Sequence, residues 1–285
     1  MERVMLCQRG EWGRFPRGWI YEPKIDGSRC LAVKREGEVS LVSRRGDDYT
    51  VKFPEVVESL KNCPDLVLDG EIACQSYLQT SARTHLTNTF LIQLRSRLYP
   101  ATYYAFDLLY LQGRWLVGLP LKERKRMLES LTFGERVVVV KPEPLEALVE
   151  KALKGEVEGL VAKDPESRYE LKRSERWIKF RPEKTEELPV VGWEDTDKPN
   201  RPYRSLILLY QGKEVQASSG MSEEDLRLTS EIFASKPHRK VGTKNYFEGG
   251  HFEAEVRFFS QGETPYRFPR IVRLKLDWIP NSGGN

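Results

Sequence analysis

The texture of the chain changes at one place, and that change bounds the folds it can adopt. Residues 181–188, RPEKTEEL, are charged and almost without apolar side chains. Such a stretch belongs to a linker or domain boundary rather than to a core. Before it, strand-like and helix-like stretches alternate. RCLAVKREGEVSLVSRRG switches between apolar and polar residues around Arg35-Glu36-Gly37, a pattern that predicts a β-hairpin. A short helix over 53–60, a strand at LVLDGEIAC, a helical segment over 81–97 and an aromatic-rich strand at ATYYAFDLLYL follow. LPLKERKRMLESL carries apolar residues at helical spacing. A strand over 136–140, a helix over 144–153 and a strand at GLVAK complete the series.

After the break the elements are short strands: LPVVGW, RSLILLYQ, KEVQASS, HFEAEVRFF and RIVRLKLD. One helix, SEEDLRLTSEIF, interrupts them, with Ser222 placed to cap it and Asp225 at its third helical position. Five strands and one helix predict a small barrel of the oligonucleotide-binding type. Two domains are therefore expected, 1–185 and 186–285.

Charge follows the same division. Residues 186–285 hold 14 Lys+Arg against 15 Asp+Glu, so the net charge of +4 arises in the first domain. A basic excess favours anionic partners, nucleic acid among them. Cys7, Cys30, Cys63 and Cys74 are scattered without a C-x-x-C pair, and His85, His238 and His251 stand far apart. Reduced thiols, and neither a disulfide framework nor a zinc site, are expected. No run reaches the length of a membrane span. MERVMLCQRGEWGRF has no apolar core of a secretory signal.

The chemistry gathers around YEPKIDGSRC, residues 21–30. It sets Lys24 beside Glu22, Asp26 and Arg29, between Pro23 and Gly27. By itself K-x-D-G is short enough to arise by chance in roughly one chain in twenty. Here it opens an ordered set: VSRRG (43–46 at its end), LDGE (68–71), YAFDLL (104–109), EGLVAK (158–163), RWIKFRP (176–182) and RFPRIVRLKLD (267–277).

With K-x-D-G and these further stretches in order, the chain resembles ATP-dependent DNA ligases of the covalent nucleotidyltransferase superfamily, in their minimal two-domain form. GWIYEPKIDG through FDLLYLQGRWLVGLPLKERK looks most like the ligase domain of bacterial end-joining ligases. The ending RFPRIVRLKLD looks more like archaeal and eukaryotic replicative ligases. The resemblance implies an α+β chain. An adenylation (nucleotidyltransferase) domain of mixed antiparallel sheets with helices is followed by a small β-barrel OB-fold domain.

It also implies roles. Lys24 takes AMP from ATP as a phosphoramidate. A free lysine has a pKa of about 10.4, so its neighbours must help it lose a proton. Glu22 accepts a hydrogen bond from the adenine amino group, and Phe106 stacks on the base. Gly27 lets the backbone approach the nucleotide. Arg29 and Arg44 hold phosphates of the adenylate or of the DNA nick, whereas Arg45 is a solvated hairpin charge and Asp69 is structural. Glu71 meets the ribose or a metal-bound water. Glu71 and Glu158 hold Mg²⁺, for which Mn²⁺ can stand in; two carboxylates suit an ion that keeps several waters. Lys179 and Arg181 contact the α-phosphate, although the family usually has lysine at both. Arg270, Arg273, Lys275 and Asp277 orient the pyrophosphate, with Lys275 where arginine is commoner, and Arg270 also offers charge to DNA. These act from the second domain, so the segment near residue 185 is expected to be a pivot.

The implied partner is nicked duplex DNA, held through backbone phosphates. Lys198, Arg201 and Arg204 are candidates in a connection too short for a large latch. A monomer acting in repair or replication is expected, with end-joining or replication proteins as partners. Its place would be the bacterial cytoplasm and nucleoid, or a host cell's cytoplasm or nucleus for a viral protein. RNA ligase or RNA-capping activity, and a non-catalytic DNA-binding relative, are the competing readings.

Overall fold

The computed structural model describes residues 4–261 and 264–281, and the side chains of those outside 259–268. The chain divides into two compact units between Arg181 and Pro182.

The first unit contains β1 (Leu6–Arg9), β2 (Ile20–Pro23), β3 (Ser28–Arg35), β4 (Glu38–Ser43), β5 (Leu66–Ala73), β6 (Thr102–Leu111), β7 (Arg114–Trp115), β8 (Val137–Val139), β9 (Leu160–Lys163) and β10 (Arg173–Phe180). Its helices are α1 (Pro54–Leu60), α2 (Tyr77–Thr84), α3 (Thr89–Leu98), α4 (Leu121–Glu129) and α5 (Leu145–Leu153). One sheet runs β1-β10-β9-β2 and the other β4-β3-β5-β6-β7, with β8 added alongside β6. Pairing is antiparallel except for β1 with β10 and β6 with β8. The β3–β4 hairpin turns through Glu36 and Gly37 at φ 49 and 86, the two positive values that a tight hairpin turn demands.

The two sheets face each other across a core in which Met5 and Trp177 of one side meet Val67 and Leu109 of the other. Trp177 is fully buried there. The helical segment expected over 81–97 is two helices. Ser76 accepts from Gln79 N at 3.3 Å to cap α2, and Asn88 accepts from Leu91 N at 3.1 Å to cap α3. A second cap inside a helical pattern ends one helix and starts another.

The second unit contains β11 (Lys184–Glu194), β12 (Ser205–Tyr210), β13 (Lys213–Ala217), α6 (Glu223–Ala234), β14 (His238–Val241), β15 (Lys244–Phe247), β16 (Gly250–Gln261) and β17 (Thr264–Pro280). Its strands form a seven-stranded sheet, two strands more than the sequence suggests. The extra pair, β14 and β15, has four residues in each strand, and β14 is exposed along its length. β11 is paired with β16 over Lys184–Val190 and with β15 over Gly192–Glu194, while β12 lies on its other edge. A Cβ on Gly192 would meet Asn245 O at 2.0 Å, so only glycine fits at that change of partner. The resulting curled sheet fits the OB-fold. α6 has the expected capping box: Asp225 N donates to Ser222 Oγ at 3.1 Å and Ser222 N to Asp225 Oδ2 at 2.9 Å.

The stretch RPEKTEEL holds the boundary between the units, as its composition suggests, but it is not free of regular structure. Lys184–Leu188 is already strand, paired with Phe258–Ala254. Residues 184–187 are exposed, so a strand there has no need of apolar side chains. That is why its composition looks like a loop.

Candidate active site of the first unit

Lys24 follows the last residue of β2, and its backbone N–H continues the pairing with a bond to Gly159 O at 3.0 Å. Its ammonium is ion-paired with Glu158 Oε2. Glu158 sits just before β9, and its other oxygen pairs with Arg181 just after β10. Three neighbouring strand ends thus deliver a lysine, a carboxylate and an arginine to one point. Gly27 sets the depth of the loop. A Cβ there would meet Ile72 O at 2.2 Å and Glu71 Cγ at 2.9 Å. The close approach that requires this glycine is to β5, where the sequence reading puts it against the nucleotide.

Glu71 projects from β5 opposite Arg29 in the register. Its carboxyl is pushed up to about 7: burial is the main cause, Lys24 and Arg29 oppose it, and Glu158 and Asp69 add to it. Arg29 is held by Asp69, through Nε to Oδ1 and Nη2 to Oδ2, both at 2.6 Å, and donates to Met5 O at 3.1 Å. Asp69 has no solvent exposure and takes a further hydrogen bond from the Tyr169 hydroxyl. Arg29 therefore reaches the site with two of its nitrogens already committed. Its guanidinium carbon lies 4.5 Å from the centre of the Phe106 ring.

These residues open onto a cavity of about 490 Å³. Lys24, Arg29, Arg44, Arg45, Arg173, Lys179 and Arg181 line it, against the carboxylates of Asp47 and Glu71. Seven cations around one cavity make it a receptor for a multiply charged anion. Arg45, read from sequence as a solvated hairpin charge, is exposed but belongs to this lining. Burial pushes the Lys179 amine down, and Arg181, Lys24 and Arg173 push it further. Cys7 and Arg173, from β1 and β10, also line the cavity and carried no signal in the sequence.

Glu22 and Phe106 lie apart from that lining. Glu22 is 2% exposed. Lys125 of α4 pairs with its Oε1, and Lys163 of β9 with its Oε2 at 2.7 Å. Burial works against its charge, but Lys163 and Lys125 outweigh burial and hold the carboxyl below its ordinary value. The Lys163 amine lies 4.3 Å from the centre of Phe106 and 4.2 Å from that of Trp177. Burial pushes this amine down. Neither lysine was singled out from the sequence. Lys163 closes the quoted motif EGLVAK, whereas Lys125 sits in a helix whose KERKR looks fully solvated.

Among the described residues no group of three or more His, Cys, Asp or Glu side chains could hold a metal ion. Glu71 and Glu158 alone do fit magnesium shared with phosphate oxygens, since that ion takes one or two carboxylates. Burial is what chiefly raises the Glu71 carboxyl, and a cation shared with Glu158 would favour its ionised form.

The second unit carries the remaining candidates. Arg270, Arg273 and Asp277 are exposed on β17. Lys275, on the same strand, bridges Glu187 at 2.7 Å and Glu253 at 3.4 Å. Lys198 and Arg204 are exposed in the connection between β11 and β12. Arg201 is engaged within the fold: its guanidinium donates to Tyr203 O, Arg204 O and Ser218 O at 2.9–3.2 Å. It ties the connection together.

A family model described as ATP dependent DNA ligase domain matches residues 5–181. The probable DNA ligase of Dictyoglomus thermophilum is 31% identical over 56% of this chain and 30% of its own length. The DNA ligase of Archaeoglobus fulgidus is 28% identical over 96% of this chain and 55% of its own. The chain thus spans about half or less of these curated relatives. A mycobacterial DNA ligase D solved with ATP and MES is 26% identical, with a TM-score of 0.55 over 98% of this chain and 96% of that one. No helix among the described residues is long and apolar enough to cross a membrane.

Proposed function

The chain belongs to the ATP-dependent DNA ligase domain family, and on that premise we propose that it seals 5′-phosphate/3′-hydroxyl nicks in duplex DNA through AMP carried on Lys24. The observation that carries the reading is Lys24 held against Glu158 at the mouth of a cavity lined by seven cations. ATP enters with its phosphates toward that lining and its base toward Phe106 and Glu22. The Lys24 ammonium gives up a proton to solvent as it leaves Glu158, and the neutral amine then bonds to the α-phosphorus as the bond to pyrophosphate breaks. Lys179 and Arg181 balance the charge that grows on the α-phosphate. Arg29 and Arg44 receive the 5′-phosphate of the nick, which takes AMP from Lys24; the 3′-hydroxyl then displaces AMP. Magnesium, bound at Glu71 and Glu158, would supply positive charge to the phosphates. Arg273, Lys275 and Asp277 of the second unit handle the pyrophosphate, and Lys198, Arg204 and Arg270 attract the DNA backbone.

The test is incubation with Mg²⁺ and ATP or GTP labelled at the α-phosphate, followed by a chase with nicked DNA or nicked RNA. Label from ATP that passes to nicked DNA and leaves sealed strands is the expected result, and Lys24→Ala removes the label. Label from GTP alone, or transfer only to RNA, overturns the reading.

A further inference from the structure

Keeping a carboxylate ionised at 2% exposure is expensive unless opposite charge is built around it. Glu22 has that charge from two lysines, which are not equivalent. Lys125 is anchored at both ends: its amine donates to Glu22 Oε1 and, at 2.9 Å, to Val140 O. Lys163 lies 2.7 Å from Oε2 and finds no second acceptor among the described residues, so it is tied to Glu22 alone. It supplies charge from over the Phe106 and Trp177 rings. Lys125 supplies charge and direction together. Its 3% exposure shows that the helix face carrying it is turned inward.

We propose that Lys125 is a positioning residue for nucleotide selection: it aims Glu22 and keeps it an anion, so that the base edge must present an amino group. The inference rests on the adenine-reading role of Glu22 given above. An ionised carboxylate only accepts hydrogen bonds, so it matches the 6-amino group and leaves a bare ring edge unmet. A protonated carboxyl also donates, and a ring nitrogen then satisfies it. Discrimination therefore depends on the charge state of Glu22. The charged groups that set that state are Lys125 from α4 and Lys163 from β9. Lys163 in turn is influenced by Asp107 of β6.

Two analogues decide the matter: ATP, and purine riboside triphosphate, which lacks the 6-amino group. Formation of the enzyme–nucleotide adduct from each, enzyme–AMP or enzyme–purine riboside monophosphate, is measured over pH 5–9 for the unaltered protein, Lys125→Met and Lys125→Arg. The unaltered protein should favour ATP by about tenfold to a hundredfold in kcat/KM, the value of a buried hydrogen bond to a charged group. Lys125→Met should bring the preference to within about threefold at neutral pH and move the acid limb about one to three pH units higher, as loss of a close opposite charge does. Lys125→Arg should restore both. Lys125→Gln keeps a donor without the charge, carries the same two shifts as methionine, and stands in if the methionine variant does not fold. An equal loss with both nucleotides, the preference and acid limb unmoved, makes Lys125 merely structural and overturns the proposal. Equal use of both nucleotides by the unaltered protein overturns it too. A covalent nucleotide adduct from neither triphosphate would instead overturn the function proposed above.

Discussion

Both units have apolar cores, but they differ in what else they bury. The first sinks charges into its interior: Arg124 with Asp107, Arg29 with Asp69, Arg83 with Glu55, and two lysines with Glu22. The second is built on rings, with Trp193, Phe233, Phe247, Phe252 and Trp278 packed at centroid separations of 5.1–5.8 Å. Its basic residues on β17 stay near the surface. Buried charge costs stability and repays it only when every partner is present. The first unit bears that cost where the proposed chemistry needs oriented carboxylates and guanidinium groups. The second keeps Arg270 and Arg273 exposed on β17, hydrated and able to meet a passing phosphate.

The largest effects should come from breaking each kind of core. Asp107→Ala leaves Arg124 buried without its carboxylate; both side chains are fully buried and joined at 2.8 Å through Nε and Nη2. A loss of about 3–5 kcal/mol is expected in chemical denaturation. Phe252→Ala in the second unit should cost a similar 3–5 kcal/mol through the cavity it leaves. The two differ in rescue. Adding Arg124→Leu to Asp107→Ala should recover much of the loss, because the unpaired charge goes. Adding Phe247→Ala to Phe252→Ala should deepen it. Equal behaviour of the two pairs would erase the distinction between the cores.

Next in size is the pH response of Glu71. Its carboxyl titrates near 4.5 when unfolded and at about 7 in the fold. The folded state therefore binds the extra proton between those values, and stability falls as pH rises from about 4.5 to about 7. The difference amounts to roughly 3 kcal/mol, at about 1.4 kcal/mol per pH unit. Glu71→Gln should be flatter over that window than the unaltered protein. Mg²⁺ should raise the melting temperature more at pH 8 than at pH 6, since only the ionised carboxylate binds it. Identical melting responses at both pH values would remove Glu71 from the metal site.

The same contrast explains what the sequence makes legible. Aromatic and aliphatic alternation in HFEAEVRFF reads correctly as a buried strand, because apolar residues have one favoured destination. Charged residues have two. KERKR on α4 looks like a solvated helix face, yet Arg124 and Lys125 point inward to Asp107 and Glu22. RPEKTEEL looks like a linker, yet Lys184–Leu188 is strand. The partners that decide such cases are over 100 residues away for Lys125 and Glu22, beyond any local pattern. Lys24, Glu158 and Arg181 could be nominated because they fall within ordered motifs. Arg45, Arg173 and Lys125, which lacked a recognised role there, needed coordinates.

The smallest effects separate two arginines and a lysine in the connection between β11 and β12. Arg201 spends its guanidinium on three backbone carbonyls, whereas Lys198 and Arg204 are exposed. Arg204 has one acidic neighbour, Glu194, at a loose 3.8 Å. Hydrated charges of this kind contribute to DNA affinity through counterion release, at a slope of about 0.9 in log affinity per log salt for each phosphate met. The double variant Lys198→Ala/Arg204→Ala should weaken binding of nicked duplex a few-fold, lower that slope by about 1–2, and leave the melting temperature unchanged. Arg201→Ala should do the reverse, lowering the melting temperature with the salt slope kept, because three carbonyls lose their donor. A salt slope that drops with Arg201→Ala and not with the double variant would return Arg201 to the DNA and make the exposed pair bystanders.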